Sequence, residues 1–222
     1  MNKDDLILLK NYEELSGEEM IKRSQDFYAE MKKRRSVRQF SSRKFSREVL
    51  VNCLKTAGTS PSAANKQPWT LVIVSDKNIK KQIREAAEKA EKIFYENEAA
   101  KQWHEELKSL NTDFRKPFLE QAPYLIVIFA KMYDVDDNGR KQKNYYVKES
   151  VGIMTGILIS ALHLSGLATL TYTPSKTGFL NKILHQPDNE RPFMILPVGY
   201  PAENTKVPHI HKKTLEEITR FY

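Results

Sequence analysis

Among 222 residues there is one cysteine, Cys53. An intrachain disulfide is excluded, and a reducing compartment is the simple expectation. Long apolar runs are missing too. The longest, 150–164, is short and broken by small polar residues, so it does not read as a membrane span. The start, MNKDDLILLKNYEEL, carries only a four-residue apolar run between charges. Neither a signal peptide nor a membrane anchor is expected, and a cytoplasmic protein is. Internal repeats, low-complexity tracts and clear linkers are absent, which points to a single domain over residues 1–222. G-x-S-x-G, P-loop and G-x-G-x-x-G motifs are absent as well. The five histidines, His104, His163, His185, His209 and His211, make no metal-ligand spacing with a carboxylate or cysteine. The His209–His211 pair reads as a surface loop, and no metal is expected. Cys53 lies on the apolar face of a helix and reads as core packing.

What is present describes an ordinary soluble chain, 40% apolar and 29% charged, with a net charge of +8. The charge has one focus. In KKRRSVRQF, residues 32–40, Lys32, Lys33, Arg34, Arg35 and Arg38 place five cations within seven positions. A nucleic acid, a membrane surface or one bound phosphate each satisfies such a run. Elsewhere acids alternate with bases, as in REAAEKAEKIFYENE, which is the pattern of a solvated helix rather than a basic binding face. Lys32 and Lys33 suit the C-terminal pole of a helix.

Ser16 and Glu19 form a capping box, so a helix follows with Met20, Phe27, Tyr28 and Met31 on one face. RRSVRQF alternates and reads as extended, with Arg34, Ser36 and Arg38 on one side. Ser46 caps a second helix that turns Val49, Leu50, Cys53, Leu54 and Ala57 inward and ends at Gly58. The turn-rich TSPSAANKQP leads to a strand, WTLVIVS. A charged helical region then spans about 78–110, with Ile79, Ile83, Ala87 and Ala90 as its stripe. YLIVIFA is a strand, and DVDDNGR a polar loop. The helix over about 146–165 is apolar almost all round, so it belongs to a core or a subunit interface. Strands over 167–173 and 192–200 and short helices to His185 and from near Thr214 complete an α+β pattern. Its continuous apolar strands require cover on both faces.

RRSVR, PSAANKQPW and the late LPVGYP, in that order and spacing, resemble the flavin-dependent nitroreductase superfamily over about residues 30–220. The resemblance implies a mixed β-sheet flanked by helices. It also implies an intertwined homodimer that binds FMN at the subunit interface. Arg34, Arg35, Ser36 and Arg38 then approach the FMN phosphate and ribityl chain, with Lys212 and Lys213 as late basic ligands. Guanidinium forks suit a phosphate. Pro61, Ser62, Ala63 and Ala64 pass along the flavin, while Asn65 and Gln67 supply amides near its ring. Thr171, Tyr172 and Thr173 also belong to the cofactor site, and the Thr173 hydroxyl takes the place of the donor to flavin N5, which favours one-electron steps.

Within that superfamily, residues 91–116 look like the active-site lid of the iodotyrosine deiodinase branch. Glu91, Tyr95 and Lys116 match its amino-acid-binding positions, with Trp103 and Leu107 fixing the register. Glu91 and Tyr95 are four apart and share a helix face. A carboxylate and an ammonium complement the two charges of a free amino acid. The resemblance implies reductive dehalogenation of halotyrosines, with the substrate phenolate on the Ala64 N–H and electrons from an unidentified reductant. A general nitro or quinone reductase is the alternative. No nucleic acid or membrane partner is expected. The chain departs from the branch in reading PSAAN where animal members read PSGAH, and in carrying Lys212 where arginine is common.

Overall fold

The computed structural model describes residues 6–10, 12–96 and 112–222. The chain forms two compact units, 1–34 and 35–222. The first holds α1, Gly17–Lys33, whose N-terminus is capped by the Ser16 hydroxyl accepting from the Glu19 N–H. No residue of α1 is buried. The expected apolar face exists, but Met20, Phe27 and Tyr28 are exposed within this chain.

The second unit carries the sheet and the buried core. Its helices and strands follow in order: α2 (Arg47–Gly58), β1 (Trp69–Val74), α3 (Lys77–Tyr95), α4 (Phe118–Gln121), β2 (Tyr124–Lys131), β3 (Tyr133–Val135), β4 (Lys141–Lys143), α5 (Val147–Leu164), β5 (Ala168–Thr169), α6 (Phe179–Ile183), β6 (Glu190–Gly199) and α7 (Leu215–Ile218). The main sheet has the order β1-β2-β6-β5, and its named strands all pair antiparallel. Its mixed character comes from one parallel bridge, Ser36 to Thr169, which lays Ser36 and Val37 along β5. The polar loop around DVDDNGR is a hairpin, β3 with β4.

β2 shows why continuous apolar strands need two covers. Leu125, Val127 and Phe129 face a core layer that includes Ile83 and Ala87 of α3, Leu119 of α4 and Leu180 of α6. Ile126, Ile128 and Ala130 face the opposite layer, with Leu50, Cys53 and Ala57 of α2 and Val151, Met154, Leu158 and Leu162 of α5. A side-chain period of two sends successive residues to opposite faces, so both helix layers are dictated by this one strand.

α5 corrects one expectation. It is 18 residues long with a mean hydropathy of 1.3, long and apolar enough to cross a bilayer. Packing, not length, makes it a core helix here. The face through Val147, Val151, Met154, Leu158 and Leu162 is buried, whereas Ile153 and Leu164 on the other side are exposed. The expected cover on every side is therefore present on one side within this chain. The 167–173 strand is also shorter than expected, reduced to β5 and an isolated bridge from Tyr172 to Ile195.

Candidate functional site

Two groups of residues stand out, on opposite faces of the sheet. The first is the turn from α2 to β1. Ala64, Asn65 and Gln67 all have positive φ, at 48°, 52° and 46°. Such angles are unusual for residues with a Cβ and persist where neighbouring bonds impose them. Here the Ser62 hydroxyl accepts from the Gln67 N–H at 2.8 Å, and the buried Ser150 of α5 accepts from the Ala63 N–H at 3.3 Å. The Asn65 and Lys66 N–H groups bond back to Ser62 and Ala63. These bonds occupy every N–H around Ala64, and among the described residues the Ala64 N–H itself takes no partner. A constrained turn thus presents one N–H for a ligand. Asn65 and Gln67 are exposed and bond to each other at 3.3 Å.

The second group is built on α3. Its stripe, Ile83, Ala87 and Ala90, is buried against the sheet and fixes the rotation of the helix. That rotation also buries Glu91, near the C-terminal end of the helix. Glu91 Oε2 lies 3.6 Å from Lys116 Nζ, the two side chains being 9% and 4% exposed. Glu91 Oε1 accepts from the Ser175 N–H at 2.9 Å. Lys116 Nζ also donates to the Asp113 carbonyl and lies over the rings of Tyr95 and Tyr172, 5.6 and 5.8 Å from their centroids. Tyr95 donates to the Thr112 carbonyl at 3.4 Å. Burial pushes the Lys116 pKa below its ordinary value, Glu91 opposes the shift, and Arg38 adds to it. Burial, and then the Glu91 carboxylate, pushes the Tyr172 phenol well above its ordinary range. The buried Tyr172 hydroxyl has no hydrogen-bond partner among the described residues.

Three expected substrate residues, Glu91, Tyr95 and Lys116, are therefore together. Trp103, Leu107 and the middle of the expected lid lie outside the described residues. Sequence reading placed Tyr172 with the cofactor. Its side chain instead turns inward against Phe118 and the Glu91–Lys116 pair, while Thr171 and Thr173 on either side are exposed. Sequence reading missed Ser175, Asp113 and Thr112, which contribute main-chain groups that any residue type supplies.

Beside the pair is a cavity of about 920 Å³ lined in part by Ser36, Arg38, Arg84, Asp113, Arg115 and Lys206. Arg38 is half-buried, and among the described residues no carboxylate lies within ion-pair distance of it. Burial lowers its pKa from the ordinary value. A half-buried guanidinium without a counter-ion beside a cavity suits an anionic ligand. Arg35 donates to the Pro208 carbonyl, joining the RRSVR segment to the C-terminal stretch that leads to Lys212 and Lys213. Those two lysines are exposed. Arg34 ends α1 and belongs to the first unit. Pro61 is exposed, and Ser62 and Ala63 are partly buried.

Comparison with known proteins decides the family. The Nitroreductase family model matches residues 31–200. An iodotyrosine deiodinase from Haliscomenobacter hydrossis is 54% identical over 205 residues, 92% of each chain. This chain belongs to the nitroreductase family, in its iodotyrosine deiodinase branch. Human iodotyrosine deiodinase 1 is 43% identical over 90% of this chain and 70% of its own length. A crystal structure of oxidized iodotyrosine deiodinase bound to FMN and 3-iodo-L-tyrosine matches with a TM-score of 0.74 and 36% identity, covering 88% of this chain and all of that one. The nitroreductase fold accounts for the layered sheet.

Proposed function

We propose that this protein is an FMN-dependent reductive dehalogenase that converts iodo-, bromo- and chlorotyrosine to tyrosine and halide. The observation that carries the reading is the buried Glu91–Lys116 pair walled by Tyr95 and Tyr172. Opposite charges at 3.6 Å in a desolvated place compensate each other. A zwitterionic amino acid brings an ammonium for Glu91 and a carboxylate for Lys116. It exchanges one buried ion pair for two, and Tyr95 would turn its hydroxyl from the Thr112 carbonyl to the same carboxylate. A phenol without those charges gains nothing from the exchange.

Arg35, Ser36, Arg38 and Lys212, with Lys213, would hold the FMN phosphate and ribityl chain. Pro61, Ser62, Ala63, Asn65, Thr171 and Thr173 would complete the cofactor site, with Tyr172 contributing only its main chain. FMN, when bound, supplies the electrons, and the Thr173 hydroxyl would donate to its ring. The Ala64 N–H would hold the substrate phenolate, which fixes the ring and favours the ionised form, more electron-rich than the phenol at the carbon to be protonated. In the net reaction two electrons and one proton replace the carbon–halogen bond by carbon–hydrogen and release halide. The electrons come from a separate reductant. The Ala64 turn and the Glu91–Lys116 pair belong to layers on opposite faces of the sheet, which supports a site completed by a second copy of the chain. The uncovered apolar residues of α1 and of the outer face of α5 support the same homodimer. A cytoplasmic location accords with the single buried cysteine.

The test uses the flavin-loaded protein, reduced anaerobically with dithionite, and measures halide from 3-iodotyrosine and from 4-iodophenol. Rapid iodide release from iodotyrosine and little from iodophenol is the expected result. Iodide from neither, with continued reduction of nitroaromatics, would replace this reading by a general nitro or quinone reductase.

A further inference from the structure

α3 holds Lys116 at both ends. The Lys116 N–H donates to Glu88 Oε1 at 2.8 Å, while its ammonium faces Glu91 Oε2 at 3.6 Å. Residues 88 and 91 are one helical turn apart, so adjacent positions on one face grip the main chain and the side chain of the same lysine. Glu88 is itself fixed. Its Oε2 receives Arg84 Nη1 at 2.8 Å, and Arg84 Nε donates to Glu120 Oε2 at 2.6 Å. One turn earlier, Lys80 Nζ donates to the Glu120 and Ala122 carbonyls at 3.0 and 2.7 Å. Lys80, Arg84 and Glu88 are spaced by four, so they form one ladder along α3. The segment they fasten, 116–122, is the one that carries Lys116.

We propose that Glu88 is a positioning residue for Lys116, and that the Lys80–Arg84–Glu88 ladder thereby sets the preference for substrates with an amino-acid head group. The proposal rests on the halotyrosine reading. Glu88 acts through the Lys116 main chain. A carboxylate suits the position because it needs two acceptors, one for the Lys116 N–H and one for Arg84. Glutamine keeps an acceptor for the N–H, whereas alanine keeps none. Free of its anchor, the backbone at Lys116 shifts, and an ammonium displaced by a fraction of an ångström loses much of a charge-assisted bond.

The experiment measures kcat and KM for 3-iodotyrosine and 4-iodophenol on reduced, FMN-loaded wild type, Glu88→Ala, Glu88→Gln, Lys116→Ala and Glu88→Ala/Lys116→Ala. Its readout is the ratio of kcat/KM for the two substrates. Glu88→Ala is expected to lower the ratio about tenfold, mainly through the KM of iodotyrosine. Glu88→Gln is expected to stay within about threefold of wild type, and Glu88→Ala is expected to add no further loss when Lys116 is already alanine. A purely structural role lowers both substrates alike, so an unaltered ratio in Glu88→Ala overturns the proposal. A further tenfold drop in the Lys116→Ala background overturns it as well. Where Glu88→Ala yields no flavin-loaded protein, Glu88→Met, which fills the space but offers the Lys116 N–H no oxygen, takes its place, with a fall in the ratio supporting the proposal and an unaltered ratio overturning it. Wild type that releases no iodide from iodotyrosine defeats the halotyrosine reading itself, and the positioning role with it.

Discussion

Two lysines are buried to nearly the same degree, Lys80 at 5% exposure and Lys116 at 3%, and they serve opposite ends. Lys80 meets main-chain carbonyls at the end of α4, fixed dipoles that no ligand can displace. Lys116 meets one main-chain carbonyl, that of Asp113, but also a carboxylate at 3.6 Å and the faces of two aromatic rings. Its main partner is a side-chain charge that a better partner can replace. Burial alone therefore does not mark a binding site. What marks it is a buried charge whose compensation is exchangeable.

The comparison can be broken in three ways. The largest effect is expected from Lys80→Ala. It leaves the Glu120 and Ala122 carbonyls without their buried donor, which costs about 2–3 kcal/mol of stability, read as a lower midpoint in urea unfolding. The double variant Glu91→Gln/Lys116→Met should behave oppositely. Replacing both members of a buried ion pair is neutral or stabilising by about 1–2 kcal/mol. The same variant should lose iodotyrosine selectivity over iodophenol by on the order of a hundredfold. Lower stability with selectivity retained would place Lys116 in the same structural class as Lys80.

The smallest effect concerns the wall of the pair. Tyr172→Phe keeps the edge-to-face contact with Phe118, at 5.4 Å between centroids, and removes a hydroxyl that lacks a partner. Neutral-pH stability should change by less than about 0.5 kcal/mol. The alkaline limb should differ. The folded-state pKa of Tyr172 is raised, so above pH 10 the unfolded state binds fewer protons than the folded one. Stability conferred by this group is lost as pH rises past 10. Thermal melts of Tyr172→Phe should therefore fall less steeply above pH 10 than those of wild type. Parallel curves would place the hydroxyl in contact with solvent.

Much of this was legible before any fold was known. The unbroken apolar run in YLIVIFA required cover on both faces, and the Ser16 and Ser46 caps set the starts of α1 and α2. The spacing of Glu91 and Tyr95 put both on one side of α3, and the deiodinase resemblance tied Lys116 to them. Glu88 was not legible, because an acid in REAAEKAEK reads as one more solvated charge until its oxygen meets the N–H of residue 116. The inward turn of the Tyr172 side chain was not legible either, because alternation along a strand says which residues share a side, not which side faces the core.

By itself, then, the sequence determined periodicity, capping, the excluded chemistries and the residue types that a zwitterion and a phosphate require. Tertiary structure decided which of the many lysines and glutamates lose their water. Desolvation depends on what the whole chain packs around a group. It is desolvation that separates the pair at Glu91 and Lys116 from solvated pairs such as Lys22 and Asp26, which are 71% exposed on each side and 4.0 Å apart.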